Sequence, residues 1–163
     1  MTGILSFQFL LDSAAIRTRV YSNEILTQVS GVANEIIEDI GTRAFDNRTR
    51  EDLYADAPTS ETELTASGNF GGVALANCDT SCKDIDDFHG LTFTRNRDGI
   101  DFDVSITVRY VDPDNPDVEA FTQTYAKEVI LTITNPNIYR LSNPDSLVQI
   151  EIGRVFSYFR TSS

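Results

Sequence analysis

The chain has 163 residues, a hydrophobic fraction of 40% and a formal net charge of −12, from 25 acidic residues against 13 Lys and Arg. That length fits one domain plus an appendage, and the apolar share excludes wholesale disorder. With Arg17, Arg19, Arg43, Arg48 and Arg50 scattered instead of clustered, the acidic balance argues against a nucleic-acid partner, because phosphate binding needs grouped Lys and Arg.

Residues 1–45 are predicted to form one long helix with two unlike halves. The first eleven, MTGILSFQFLL, carry no charge and are apolar on nearly every face. The second half carries Ile25, Val29, Ala33, Ile36 or Ile37, Ile40 and Ala44, a spacing that places one stripe on one helix face. Polar Glu24, Asn34, Glu35, Glu38, Asp39 and Arg43 fill much of the rest. At about 1.5 Å per residue the helix would span roughly 65 Å, more than a compact domain of this size accommodates. Residues 1–20 are therefore expected to protrude and to need a bilayer, other copies of the chain, or both. The apolar run is shorter than the about 20 residues that cross a bilayer. It is either a buried helix segment or the tail of a longer apolar helix. Gly31 and Gly41 are expected soft points, and the helix is expected to stop near Asp46–Asn47.

Residues 46–90 read as an irregular loop, rich in Thr, Ser, Asp and Glu and broken by Pro58, Gly68, Gly71 and Gly72. A connection of that length is usually functional or partly structured. Leu53, Tyr54, Leu64, Phe70, Val73 and Leu75 are candidates to pin it down. Cys78 and Cys82 stand four apart, with no other cysteine and one histidine in the chain. Ligands for structural zinc are lacking, and the spacing is not the redox C-x-x-C. A small disulfide loop is expected, which implies an oxidising compartment; the alternative is two reduced surface thiols.

From Leu91 the hydrophobic period changes to two. LTFTR, the turn signal Asp98-Gly99 and IDFDVSITVRYV predict a hairpin. Phe102, Val104, Ile106, Val108 and Tyr110 share one face of its second arm. Residues 112–117 are predicted as a loop, Phe121 to Thr134 as a strand with Tyr125, Val129, Leu131 and Ile133 in register, and Leu147 to Phe159 as another with Val148, Ile150, Ile152, Phe156 and Tyr158 inward. Asn135-Pro136-Asn137 and Asn143-Pro144-Asp145 are predicted turns. One apolar sheet face needs a cover, and the helix stripe is the only long amphipathic element to provide it. The expected fold is α+β, with a long N-terminal spine helix packed under a C-terminal antiparallel sheet. The expected division is a helix at 1–45 and a globular head at 46–163, made of the loop at 46–90 and the sheet at 91–163.

Searches for chemistry return little. Asp84, Asp86 and Asp87, with His89 behind them, offer oxygens to Ca²⁺, as do Asp112, Asp114 and Asp117. Neither group has a full calcium-loop spacing, so a solvated loop with local turn hydrogen bonds and a proline-rigidified turn are the preferred readings. His89 has no nucleophile elbow beside it, and phosphate-binding and zinc-protease motifs are absent. No catalytic residue, metal site or cofactor is expected, and the chain is not read as an enzyme. Asn47-Arg48-Thr49 matches a glycosylation sequon, which arises often by chance.

Taken together, the layout resembles a type IV pilin or pseudopilin. GVANEIIEDIGTRAFD (31–46) looks like the lower part of a pilin spine. CKDIDDFHG, then FDVSITVRYVD and KEVILTIT, are similar to the head of minor pilin-like proteins. Family members begin with a basic leader and about 20 apolar residues, with Glu at the fifth mature position. Leu5 is fifth here, so the leader and the start of the apolar helix are expected to lie outside this sequence. The resemblance implies a structural filament subunit held in the inner membrane before assembly and then in an extracellular or periplasmic bacterial filament. Its partners would be copies of itself and related pilin-like subunits. It implies subunit packing through Ile4, Leu5, Phe7, Phe9, Leu10, Leu11, Ala14, Ala15 and Ile16, with Cys78 and Cys82 stapling the loop. Rival readings are a phage or secreted structural protein that oligomerises through the same helix, and a helix-anchored ligand-binding β module.

Overall fold

The computed structural model describes residues 25–51, 53, 56–140 and 143–159. Helix α1 runs over 25–41 within that range. The stripe is buried as far as Ile40: Ile25, Val29, Val32, Ala33, Ile36, Ile37 and Ile40 all join the core, whereas Ala44, its expected last member, lies past the helix and is half-buried. The helix ends at Gly41, several residues before the expected stop, as Thr42 and Arg43 close a turn onto Asp39 and Ile40 carbonyls. It runs unbroken through Gly31. That glycine makes room for Arg97, whose guanidinium would lie 2.6 Å from an added Cβ.

The sheet is antiparallel throughout. Strands β1 (Thr92–Arg97), β2 (Ile100–Asp112), β4 (Ala126–Arg140) and β5 (Asn143–Ser157) lie side by side in that order, and β3 (Asn115–Glu119) pairs with the end of β2. The β1–β2 turn is the expected one, with Asp98 at φ 51° and Gly99 at φ 80°, as a two-residue turn matched to strand twist requires. The row Phe102, Val104, Ile106, Val108 and Tyr110 faces the core, as do Val129, Leu131 and Ile133 of β4. Alternation alone places them there, since successive side chains point to opposite faces.

Three expectations are overturned. Residues 115–119 form a strand where a loop was predicted. The polar side chains of that segment are exposed, so no apolar alternation marks it. The predicted turns at 135–137 and 143–145 are instead strand: β4 continues to Arg140 and β5 begins at Asn143. The ladder shifts register between Thr134 and Tyr139, which is where a proline lacking its N–H is tolerated. Ile150, Ile152 and Phe156 of β5, and Tyr158 just past it, pack inward against the core as expected and are half-buried, because β5 is an outer strand of the sheet; the Val148 side chain lies outside those described.

The connection from 46 to 90 is built of short 3₁₀ turns at Asn47–Thr49, Glu61–Glu63, Ser67–Asn69, Leu75–Asn77 and Ile85–Phe88, with helix α2 at Cys78–Ser81. Leu64 is buried, and Phe70 and Val73 pack against the core. Leu53 and Leu75 are exposed and pin nothing; Tyr54 lies outside the described residues.

Candidate functional site

The expected subunit-packing residues Ile4, Leu5, Phe7, Phe9, Leu10, Leu11, Ala14, Ala15 and Ile16 lie outside the described residues. No helix among the described residues is long and apolar enough to cross a membrane. The expected disulfide is present: Cys78 and Cys82 are bonded, at the two ends of α2. Cys82 is fully buried, so the staple faces the core and not the solvent.

Among the described residues one concentration of buried charge stands out, and the sequence reading does not include it. Strand parity places Lys127 on the inward face of β4, in the same row as Val129, Leu131 and Ile133. It pairs across the ladder with Tyr110 of β2. Its side chain is 0% exposed. The chain leaving α1 runs beside it: Ala44 forms a parallel bridge with Asp84, with Ile85 N–H donating to the Ala44 carbonyl at 3.0 Å. This brings Phe45, Asp46 and the Ile85–Phe88 turn to the lysine. Lys127 Nζ donates to the Phe45 carbonyl at 2.9 Å and to Asp46 Oδ2 at 2.8 Å, and lies 2.6 Å from Asp86 Oδ1. Three rings surround it, with centroids 4.5 Å (Phe45), 5.0 Å (Tyr110) and 5.2 Å (Phe70) from Nζ.

The two carboxyl groups on this lysine have opposite surroundings. Asp46 caps the Asn47–Thr49 turn. Its oxygens accept from Arg48 N–H at 3.0 Å, Thr65 N–H at 3.0 Å, the Thr65 hydroxyl at 3.2 Å and the Tyr110 hydroxyl at 3.4 Å. Burial pushes its pKa up, but Lys127 and the backbone amides outweigh it and hold the group below its ordinary range. Asp86 is only 3% exposed, and apart from the ion pair of Oδ1 with Lys127 its oxygens receive no amide or hydroxyl hydrogen bond. Burial pushes Asp86 up to about 8 despite the pull of Lys127, with the charges of Asp46 and Asp84 adding to the rise. Asp84 is also raised, to about 6, first by burial and then by the Asp87 charge. Burial, followed by the Asp46 and Asp86 charges, pushes the Tyr110 phenol up.

The remaining candidates resolve into scaffolding. Asp84 Oδ1 accepts from Asp86 and Asp87 N–H, while Asp87 Oδ2 accepts from Lys83 and Asp84 N–H, a reciprocal cap on the Ile85–Phe88 turn. The local turn bonds are as expected, but the loop is not solvated: Asp84 and Asp86 are buried. Asp112 accepts from Asp114 N–H in the β2–β3 turn. His89 Nδ1 accepts from Val108 N–H at 3.0 Å, closing an open position on β2. Among the described residues no group of three or more acidic, His or Cys side chains is placed to hold a metal.

Lys127 was legible in principle. A lysine at an inward position between Tyr125 and Val129 must either reach solvent or find buried anions, and the parity of the strand identifies it. The partners were not legible, because Asp46 and Asp86 reach it from positions about 40 or more residues away, through a loop without period.

What fold and site define together is a class: an α+β protein whose amphipathic helix is roofed by an antiparallel sheet, stapled by one disulfide and centred on a buried lysine–carboxylate cluster. The chain matches no protein-family model, no curated protein and no solved structure.

Proposed function

We propose that this chain is a structural subunit of a type IV pilus-like or pseudopilus filament, with no turnover chemistry of its own. The observation that carries the reading is the burial of the α1 stripe beneath an antiparallel sheet, with an uncharged apolar run preceding that helix in the sequence. A helix with its second half committed to its own sheet can offer its first half to neighbours. Repetition of that head-to-tail contact gives a helical polymer and not a closed ring. On this reading the apolar segment rests in the inner membrane before assembly and in the filament core afterwards, and the sheet faces outward.

Negative-stain imaging of cells with and without the gene tests it. Surface or periplasmic filaments that disappear with the gene, and return with a tagged copy incorporated along their length, support the reading. A tagged product found only as a dispersed single molecule, in cells whose filaments are unchanged by its loss, overturns it.

A further inference from the structure

We propose that Lys127 Nζ and the side-chain carboxyl of Asp86 condense to an intramolecular amide, a covalent cross-link between β4 and the Ile85–Phe88 turn, with Asp46 as the proton acceptor.

The geometry is that of two reactants held together and kept dry. Nζ lies 2.6 Å from Asp86 Oδ1 in an ion pair, while two of its three N–H groups go to the Phe45 carbonyl and to Asp46. Reacting groups pre-positioned at such separations gain much of what a bimolecular encounter must supply. Asp86 is nine-tenths buried, and no amide or hydroxyl donates to either of its oxygens. Burial and the nearby Asp46 and Asp84 charges outweigh the pull of its one cationic neighbour, Lys127, so the group holds its proton and presents a neutral, electrophilic carboxyl carbon. Asp46, with four protein donors besides the lysine, is a stabilised anion and a poor electrophile. Environments that separate two carboxyl groups in this way assign their roles.

The step balances. Lys127 begins as the ammonium, Asp46 as the carboxylate and Asp86 as the free acid. Nζ passes one proton to Asp46 Oδ2, 2.8 Å away. The freed amine lone pair attacks Asp86 Cγ, and a new C–N bond forms. The tetrahedral adduct expels the Asp86 hydroxyl, which leaves as water with the second nitrogen proton. The products are one amide, one water and a protonated Asp46, with no oxidant or activating reagent. The three rings favour the ammonium over the amine, and the donors on Asp46 make its anion a weak base, so this uphill proton transfer is the step that limits the rate. The same rings exclude water and so favour the amide once formed. Condensation also removes two buried charges and leaves a neutral group in their place.

The test is the intact mass of the full-length protein, reduced so that the cysteines carry their hydrogens, followed by proteolysis and fragment sequencing. The expected mass is lower than that of the linear chain by one water, and the deficit maps to a branched peptide joining Lys127 to Asp86. Lys127→Met and Asp86→Ala restore the linear mass. Asp86→Asn forms the same amide by losing ammonia instead of water, and Asp46→Asn leaves most of the chain unlinked. If these variants do not accumulate, the branched peptide in the unmodified chain decides alone. Folded protein at the full linear mass overturns the proposal. So does a deficit located at Asp98-Gly99, where succinimide closure loses the same water, or a link from Lys127 to Asp46.

Discussion

Asp84 illustrates how a single carboxyl group can weaken the fold that it caps. Its oxygen holds two amides of the Ile85–Phe88 turn, but burial and neighbouring charge raise it to about 6. Below about pH 4 both the folded and unfolded chains keep the proton, and its contribution is fully present. As pH rises toward 6 the unfolded chain releases the proton first, so stability falls over that window by on the order of 2–3 kcal/mol. Urea midpoints measured across it should decline in the parent protein. In Asp84→Asn the decline should be smaller, because the amide oxygen keeps the cap while Asp86, raised to about 8, still makes the unfolded chain release its proton first. Asp46 works in the opposite sense: its lowered value adds stability at neutral pH that is lost as pH falls through its folded value. None of this was legible from the run Asp84, Asp86, Asp87, which reads as a solvated acidic loop. Burial of that run follows from a parallel bridge to Ala44, and no local pattern announces such a bridge.

At the level of elements, period carried most of the information. The stripe on α1 and the inward rows of β2 and β4 follow from spacings of 3.6 and 2, and their burial matches. Ile40 is 0% exposed at the last turn of α1. Ile40→Ala should therefore cost 2–5 kcal/mol, the range for a cavity that relaxes incompletely, read as a lower denaturant midpoint with an unchanged slope. The Cys78–Cys82 link closes a very short loop, so its entropic contribution is small. The double variant Cys78→Ser, Cys82→Ser should lose about 2 kcal/mol, and reduction of the parent protein should lower its thermal midpoint by a similar margin. What period missed were elements with little apolar content. Strand β3 is exposed throughout. The far ends of β4 and β5 pass through Pro136 and Pro144, which read as breakers although they lie within strands, at places where the ladder leaves them unpaired.

For the whole molecule, the filament proposal assigns self-packing to the apolar N-terminal run and leaves the sheet to the described head. If that run packs against copies of the chain, the full-length protein should sediment as assemblies or require detergent. A version lacking residues 1–20 should sediment as a single species with the same circular dichroism from its sheet. A full-length chain that is monodisperse in plain buffer would rule out self-packing. Within the head, α1 is gripped from two sides. Glu35 pairs with Arg95 of β1 on one flank, and Glu38 pairs with Arg154 of β5 at 2.6 Å on the other. Each pair is exposed and weak by itself. Yet a cylinder resting on an oily floor has little to prevent it from rolling, and two tethers at opposite margins remove that freedom. Apolar contact thus fixes how deep the rod sits, while charge fixes its azimuth.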